Sequence, residues 1–243
     1  PSGLENKLVV EMIMDPTDHN TIVAVTNTGI YKTINAGSTW TLKTASRPFD
    51  DLKLKENTGT RTMFAATTDS AFFRSTDFGD TWTQINNGIV LPSGVTNGNG
   101  VRIGLTPADS NVVYLSMVAN GGMVYKSTDG GTSFTAKKTT SAPYISYYTN
   151  SSASSGQGDY NHGLGVDRTD PNVIWYVAHC VWKSTDGGVN WTQQTVWYNV
   201  LHTDMHQMIQ NPYNSSQLYN LNDGGVWLST DGGTLWTPKS DGI

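Results

Sequence analysis

Ser127-Thr-Asp-Gly-Gly-Thr-Ser-Phe134, Ser184-Thr-Asp-Gly-Gly-Val-Asn-Trp191 and Ser229-Thr-Asp-Gly-Gly-Thr-Leu-Trp236 are three copies of one octet. Two looser copies precede them, Thr33-Ile-Asn-Ala-Gly-Ser-Thr-Trp40 and Ser75-Thr-Asp-Phe-Gly-Asp-Thr-Trp82. Their fifth-position glycines, 37, 79, 131, 188 and 233, lie 42, 52, 57 and 45 residues apart. Repeats of roughly 40–50 residues suit one four-stranded propeller blade. The octet has the chemistry of a turn. Asp or Asn at its third position can accept backbone N–H bonds across a tight reversal, and Gly at its fifth takes a left-handed backbone at little steric cost. The aromatic at its eighth position opens the next strand. These five Asp/Asn positions are therefore expected to be fold devices without a part in chemistry.

The flanks repeat as well. Gly29-Ile-Tyr-Lys, Ala71-Phe-Phe-Arg, Met123-Val-Tyr-Lys, Val181-Trp-Lys and Val226-Trp-Leu precede the octets. Before those come Thr21-Ile-Val-Ala-Val, Thr62-Met-Phe-Ala-Ala, Val112-Val-Tyr-Leu, Val173-Ile-Trp-Tyr-Val and Gln217-Leu-Tyr-Asn-Leu. Short β-rich runs bounded by polar turns read as strands, and no segment sustains helical periodicity. The expectation is an all-β chain, a β-propeller of four-stranded antiparallel blades with five blades at approximately 1–46, 47–90, 91–140, 141–199 and 200–243, forming one region. Five is a low count, so the chain is expected to be a piece of a larger ring, completed by a longer precursor or by another chain. A closed five-blade ring is the alternative.

Composition narrows the function. Fifteen Lys and Arg against 20 Asp and Glu, a formal charge of −5, speak against a nucleic-acid partner, because phosphate contacts need a basic surplus. No run approaches the ~20 apolar residues of a membrane span. The single Cys180 excludes an intrachain disulfide and reads as a small buried hydrophobe. Little charge and abundant Ser, Thr, Asn and Gly suggest an extracellular or cell-surface protein. Asn150, Asn190 and Asn214 head glycosylation triplets.

Register places the candidate chemistry. The octet joins strands three and four, so the other face of a blade carries the turn between strands two and three and the approach to the inner strand. The approach to unit five is Val200-Leu-His202-Thr-Asp204-Met-His206; on a strand His202, Asp204 and His206 share one side. No cofactor is expected, unless these three hold a divalent metal. Unit four begins Gly158-Asp159-Tyr-Asn-His162, and His162 falls at the repeat position of His206. The turns between strands two and three add His179-Cys180 and Asn222-Asp223-Gly-Gly225. His162, His179, His202 and His206 are thus expected on one face of two adjacent units; the alternative for the His202–His206 segment is hydrogen bonding that holds inner strands together.

The octets identify the chain as similar to the Asp-box (bacterial neuraminidase repeat) propellers, a group that includes xyloglucanases, sialidases and sortilin-type receptors. The resemblance covers the whole chain and implies a carbohydrate-active propeller that binds or hydrolyses a polysaccharide or glycan, with a non-catalytic glycan- or protein-binding or adhesion module as the alternative. In the xyloglucanase family catalytic aspartates sit in an Asp-Val-Gly-Gly-type turn between strands two and three, which Asn222-Asp223-Gly224-Gly225 resembles with one residue fewer. Hydrolysis needs two carboxylates about 5–10 Å apart; Asp223, Asp204 and Asp159 are the candidates, with the four histidines orienting substrate. Tyr147, Tyr148, Trp197 and Tyr198 are candidate sugar-stacking residues. A sialidase is disfavoured, since Arg47, Arg61, Arg74, Arg102 and Arg168 show no convergence and the Arg-Ile-Pro motif of that family is missing.

Overall fold

The computed structural model describes residues 2–44, 46–55, 61–91, 100–139, 142–145, 157–196 and 201–240. They form five antiparallel sheets of four strands each, every sheet built from four consecutive strands in chain order. Blade one holds β1 (Val9–Asp15), β2 (Asp18–Thr26), β3 (Gly29–Thr33) and β4 (Thr41–Leu42); blade two holds β5 (Phe49–Leu54), β6 (Met63–Thr67), β7 (Phe72–Ser75) and β8 (Thr83–Ile85). Blade three holds β9 (Val101–Leu105), β10 (Val113–Met117), β11 (Met123–Ser127) and β12 (Thr135–Lys138); blade four holds β13 (Gly163–Val166), β14 (Ile174–Val177), β15 (Val181–Ser184) and β16 (Thr192–Gln193). Blade five holds β17 (Met205–Gln210), β18 (Leu218–Asn222), β19 (Gly225–Ser229) and β20 (Thr237–Pro238). The first strands β1, β5, β9, β13 and β17 pack side by side around a hub. The all-β expectation of five four-stranded blades therefore holds, with one short 3-10 turn at Ala119–Gly121.

Each octet closes the corner between the third and fourth strands by the same bonds. In blade four Ser184 Oγ donates to Asp186 Oδ1 at 2.9 Å and accepts Gly188 N–H at 2.9 Å, while Asn190 N–H donates to Asp186 Oδ1 at 2.9 Å. The fourth and fifth positions both have positive φ: 74° and 93° at Gly187 and Gly188, 53° and 85° at Ala36 and Gly37. Two successive left-handed residues explain why Gly-Gly recurs there. The indole of Trp191 donates back to Gly188 O at 2.9 Å, and Trp236 does the same to Gly233 O at 3.0 Å. Octet and first turn meet at one end of the blade, as Gly187 N–H donating to Asn172 O shows. The other end carries the turns between strands two and three.

Alternation along β2, β6, β10, β14 and β18 sends successive side chains to opposite neighbours. The core consequently divides into four clusters, each between consecutive blades. Val23, Val25 and Ile30 of blade one meet Phe49, Leu52, Met63 and Phe73 of blade two. Phe64 and Phe72 meet Val101, Ile103, Leu115 and Phe134 of blade three. Tyr114 and Val124 meet Ile174, Tyr176 and Cys180 of blade four, and Trp175, Val177 and Val181 meet Met205, Met208, Leu218 and Trp236 of blade five. None of the four joins blade five to blade one.

Candidate functional site

The face opposite the octets is organised where blades four and five touch. Blade five is drawn against blade four by Met205 N–H, which donates to Ala178 O at 2.9 Å. Immediately before it, Asp204 adopts φ +58°, a left-handed conformation uncommon outside Gly, Asn and Asp. That turn aims the Asp204 carboxylate sideways into blade four. Its Oδ1 accepts Asn161 Nδ2 at 2.6 Å and lies 3.4 Å from His179 Nδ1, and its Oδ2 accepts Thr203 Oγ1 at 3.2 Å. Asn161 and His179 are buried. Burial holds His179 below the ordinary imidazole range, against the pull of the Asp204 charge.

A second group stands beside the first. His206 Nε2 donates to Asp223 Oδ1 at 2.9 Å. The Tyr160 ring lies edge-on to the His206 imidazole, centroids 5.1 Å apart, and its hydroxyl is 3.4 Å from both Asp223 oxygens. His206 holds the Asp223 carboxyl below the usual carboxylate range, so Asp223 is an anion at neutral pH. That charge raises the Tyr160 phenol, which stays protonated and able to donate. Asp223 N–H donates to Asp204 O at 3.3 Å, so the backbones of the two acidic positions are in direct contact. Gly224 admits His202 to the same place: a Cβ there would stand 2.6 Å from the His202 Cβ.

Of the sequence candidates, His179, His202, Asp204, His206 and Asp223 come together. Asp159 is exposed in the turn before Tyr160. His162 needs correction as a face residue. It is buried and stacked on Tyr176 at 4.9 Å, with Nε2 2.7 Å from Ser116 Oγ in the interface with blade three. His162 and His206 do hold equivalent places in the repeat, but His206 is the extra residue of a bulge between Met205 and Gln207 in β17, whereas His162 lies just before the β13 ladder. A bulge re-aims the side chain it carries: His206 turns to Asp223 on the open face, and His162 is buried in the core. The same bulge and the left-handed Asp204 break the alternation expected of His202, Asp204 and His206. Among the described residues no three His, Cys, Asp or Glu side chains are gathered as a metal site. His202 Nδ1 instead donates to Thr203 O at 2.9 Å. Tyr147, Tyr148, Trp197, Tyr198 and Asn150 lie outside the described residues.

The hub holds charged groups that the sequence reading passed over. A cavity of about 350 Å³ is lined by Glu11, Asp50, Asp51, Lys53, Arg102 and His206 among others. Glu11 accepts Leu52 N–H at 2.9 Å and Lys53 Nζ at 3.1 Å; Asp51 accepts Ile103 N–H at 2.6 Å and also pairs with Lys53. Arg102 pairs with Asp50 at 2.5 Å and donates to His162 O at 3.1 Å. Burial and the Asp51 charge raise Glu11, whereas Lys53 and Arg102 keep Asp51 ionised. Tyr160 and Asn161 were also missed. They stand between Asp159 and His162 in the sequence, and adjacency to those two was the signal available.

No family model matches the chain. It is 28% identical over 171 residues to a xyloglucanase of Hypocrea jecorina, a match that covers 63% of this chain and 20% of that protein. A probable oligoxyloglucan-reducing end-specific xyloglucanase of Neosartorya fischeri is 28% identical over 145 residues, 52% of this chain and 17% of that one. The chain thus spans about a fifth of the length of these relatives. Among solved structures, an ancestral GH74 enzyme superposes with a TM-score of 0.71 at 17% identity, over 97% of this chain and 31% of the other. The GH74 xyloglucanase of Xanthomonas campestris gives 0.61 at 15% identity, over 93% and 37%. The likeness in fold is that of a β-propeller. No helix among the described residues is long and apolar enough to cross a membrane.

Proposed function

We propose that this chain is part of an extracellular, carbohydrate-active propeller that takes a polysaccharide on the face of blades four and five and cleaves it with Asp223 as the base. The observation that carries the reading is the triad of His206, Asp223 and Tyr160, an ionised carboxylate with an exposed aromatic ring beside it. Tyr160 is 57% exposed, a flat apolar surface on which a pyranose ring can lie. Asp223 can accept a proton from an attacking water, and Asp204 is the second carboxyl that hydrolysis requires. The likeness to two xyloglucanases supports a β-glucan as the polymer.

A non-catalytic glycan-binding reading has one observation in its favour. Asp204 is engaged by Asn161, Thr203 and His179 and is not turned toward open solvent as Asp223 is. Incubation with xyloglucan, scored for reducing ends and by affinity electrophoresis, separates the two. Hydrolysis that falls at least 100-fold in D223N, with gel retardation kept, is the expected result. Retardation without reducing ends establishes the binding module. Neither retardation nor cleavage with xyloglucan or other β-glucans ends the carbohydrate reading.

A further inference from the structure

All five inner strands build the cavity in the hub. Glu11 of β1, Lys53 of β5, Arg102 of β9, Gly163 of β13 and Gln207 of β17 each line it. Glu11, Asp51, Arg102, Gly163 and Gln207 hold one register position in those strands. Blades one, two, three and five thus present polar side chains at that height, and the glycine of blade four puts no side chain into the space. Val10, Ile103, Leu164, Met208 and Ile209 supply an apolar wall.

The charges around the cavity are already balanced. Lys53 Nζ lies 3.1 Å from Glu11 and also pairs with Asp51, and Arg102 lies 2.5 Å from Asp50. An ion of either sign would have to displace one of these partners. A neutral polyol would not. Its hydroxyls can donate to the carboxylates and accept from the ammonium and the guanidinium, while the C–H face of a pyranose ring leaves water for the apolar wall. At about 350 Å³ the cavity is near the small end of ligand pockets, roughly 300–1,000 Å³, a size that suits a mono- or disaccharide unit.

His206 joins this cavity to the face of blades four and five. It lines the cavity and donates through Nε2 to Asp223. We propose that the hub cavity is a sugar subsite, which holds a neutral mono- or disaccharide unit of a glycan whose adjoining residues lie along Tyr160 and Asp223. This rests on the reading of that face as a glycan site and adds the place into which the polymer continues.

The test fills the cavity from its exposed side. Gln207 and Ile209 are exposed, so both can be changed without disturbing the core. I209W occupies the space and Q207A removes a hydrogen-bonding group; thermal melts check that both variants are folded. Cellobiose, a neutral β-glucan disaccharide, is titrated into the 243-residue chain and followed by amide NMR shifts, with acetate and tetramethylammonium as charged probes. The expected result is that cellobiose shifts the amides of Glu11, Lys53, Arg102 and Gln207, that the charged probes do not, and that each variant weakens cellobiose binding about tenfold or more. No cellobiose shifts, shifts confined to Tyr160, His206 and Asp223, or a charged probe that binds more tightly than cellobiose overturns the subsite. Xyloglucan retardation or cleavage that is unchanged in both variants also overturns it, and leaves the proposed function standing. Cellobiose held in the hub of a chain that neither retards on nor cleaves any β-glucan polymer supports the hub as a sugar site and overturns the proposed function instead.

Discussion

Asp204 shows how one residue's backbone sets the site. Its left-handed φ points the carboxylate into blade four, where Asn161 and His179 receive it. D204G keeps that backbone conformation and removes the carboxylate, whereas D204A also strains the turn. D204G is expected to fold with a loss of about 1–3 kcal/mol, from the partners left unsatisfied, and D204A with more; urea melts of both check the order. Asp223 carries a pH consequence. His206 depresses its folded pKa, so H206A should move the Asp223 titration upward, read by carboxyl carbon NMR. His162 behaves oppositely to a surface histidine. Burial and the Arg102 charge hold it well below the ordinary value of 6.5, and His179 is lowered too. A depressed folded pKa means that the unfolded chain takes up the proton first. Stability is therefore full above about pH 6.5 and falls as pH drops below it, by at most about 1.4 kcal/mol per pH unit for each histidine. Melts from pH 7.5 to 5 should show this slope, and H162Q should flatten it. An unchanged slope in H162Q would show that His162 protonates as readily folded as unfolded.

At the scale of elements, the octet corner and the inner-strand bulge do different work. The corner is fixed by local bonds, so its loss should be local. S184A deprives Gly188 N–H and Asp186 of their partner, at a cost of about 1–3 kcal/mol by thermal melts. The bulge acts across the blade. Both His162 and His206 stand five residues before the end-of-strand turn, at Asp167 and Asn211, and equivalence of position was visible from those turns alone. Their opposite orientations were not, because a bulge at Met205–Gln207 is a matter of strand pairing, and strand pairing depends on the backbone of β18. Gly163 belongs to the same scale. G163A would put a methyl 2.7 Å from the His206 carbonyl and 2.8 Å from a Val177 methyl. The expected outcome is a loss of at least about 1–3 kcal/mol with blade five released first, seen as hydrogen exchange rising in β17 and β18 ahead of β5 and β6.

The whole molecule is held by a chain of contacts from each blade to the next. Asp51 is buried and bonds both Lys53 and the Ile103 amide, so it ties blade two to blade three. D51A leaves Lys53 without that carboxylate and the Ile103 amide without its acceptor, a loss of about 3–5 kcal/mol. Melts recorded by fluorescence and by circular dichroism should both shift by that amount; a shift under 1 kcal/mol would show the hub charges to be incidental. An arc of blades also exposes its two ends, which is why Met12 is bare while Leu52, at the same register, is fully covered.

The octets, with their Gly-Gly pairs and terminal aromatics, determined the blade and its count by themselves, because those turns are closed by bonds within eight residues. Register in the sequence placed His162, His179, His202, His206, Asp204 and Asp223 on one face, of which the structure buries His162. Which of them touch was decided by the tertiary structure, through a bulge, a left-handed aspartate and a glycine that lets His202 approach. The charged hub was decided there as well. Glu11, Asp51 and Arg102 lie 40 or more residues from the backbone groups they bind in the next blade, and only the curvature of the sheets around the hub brings those groups within hydrogen-bond distance.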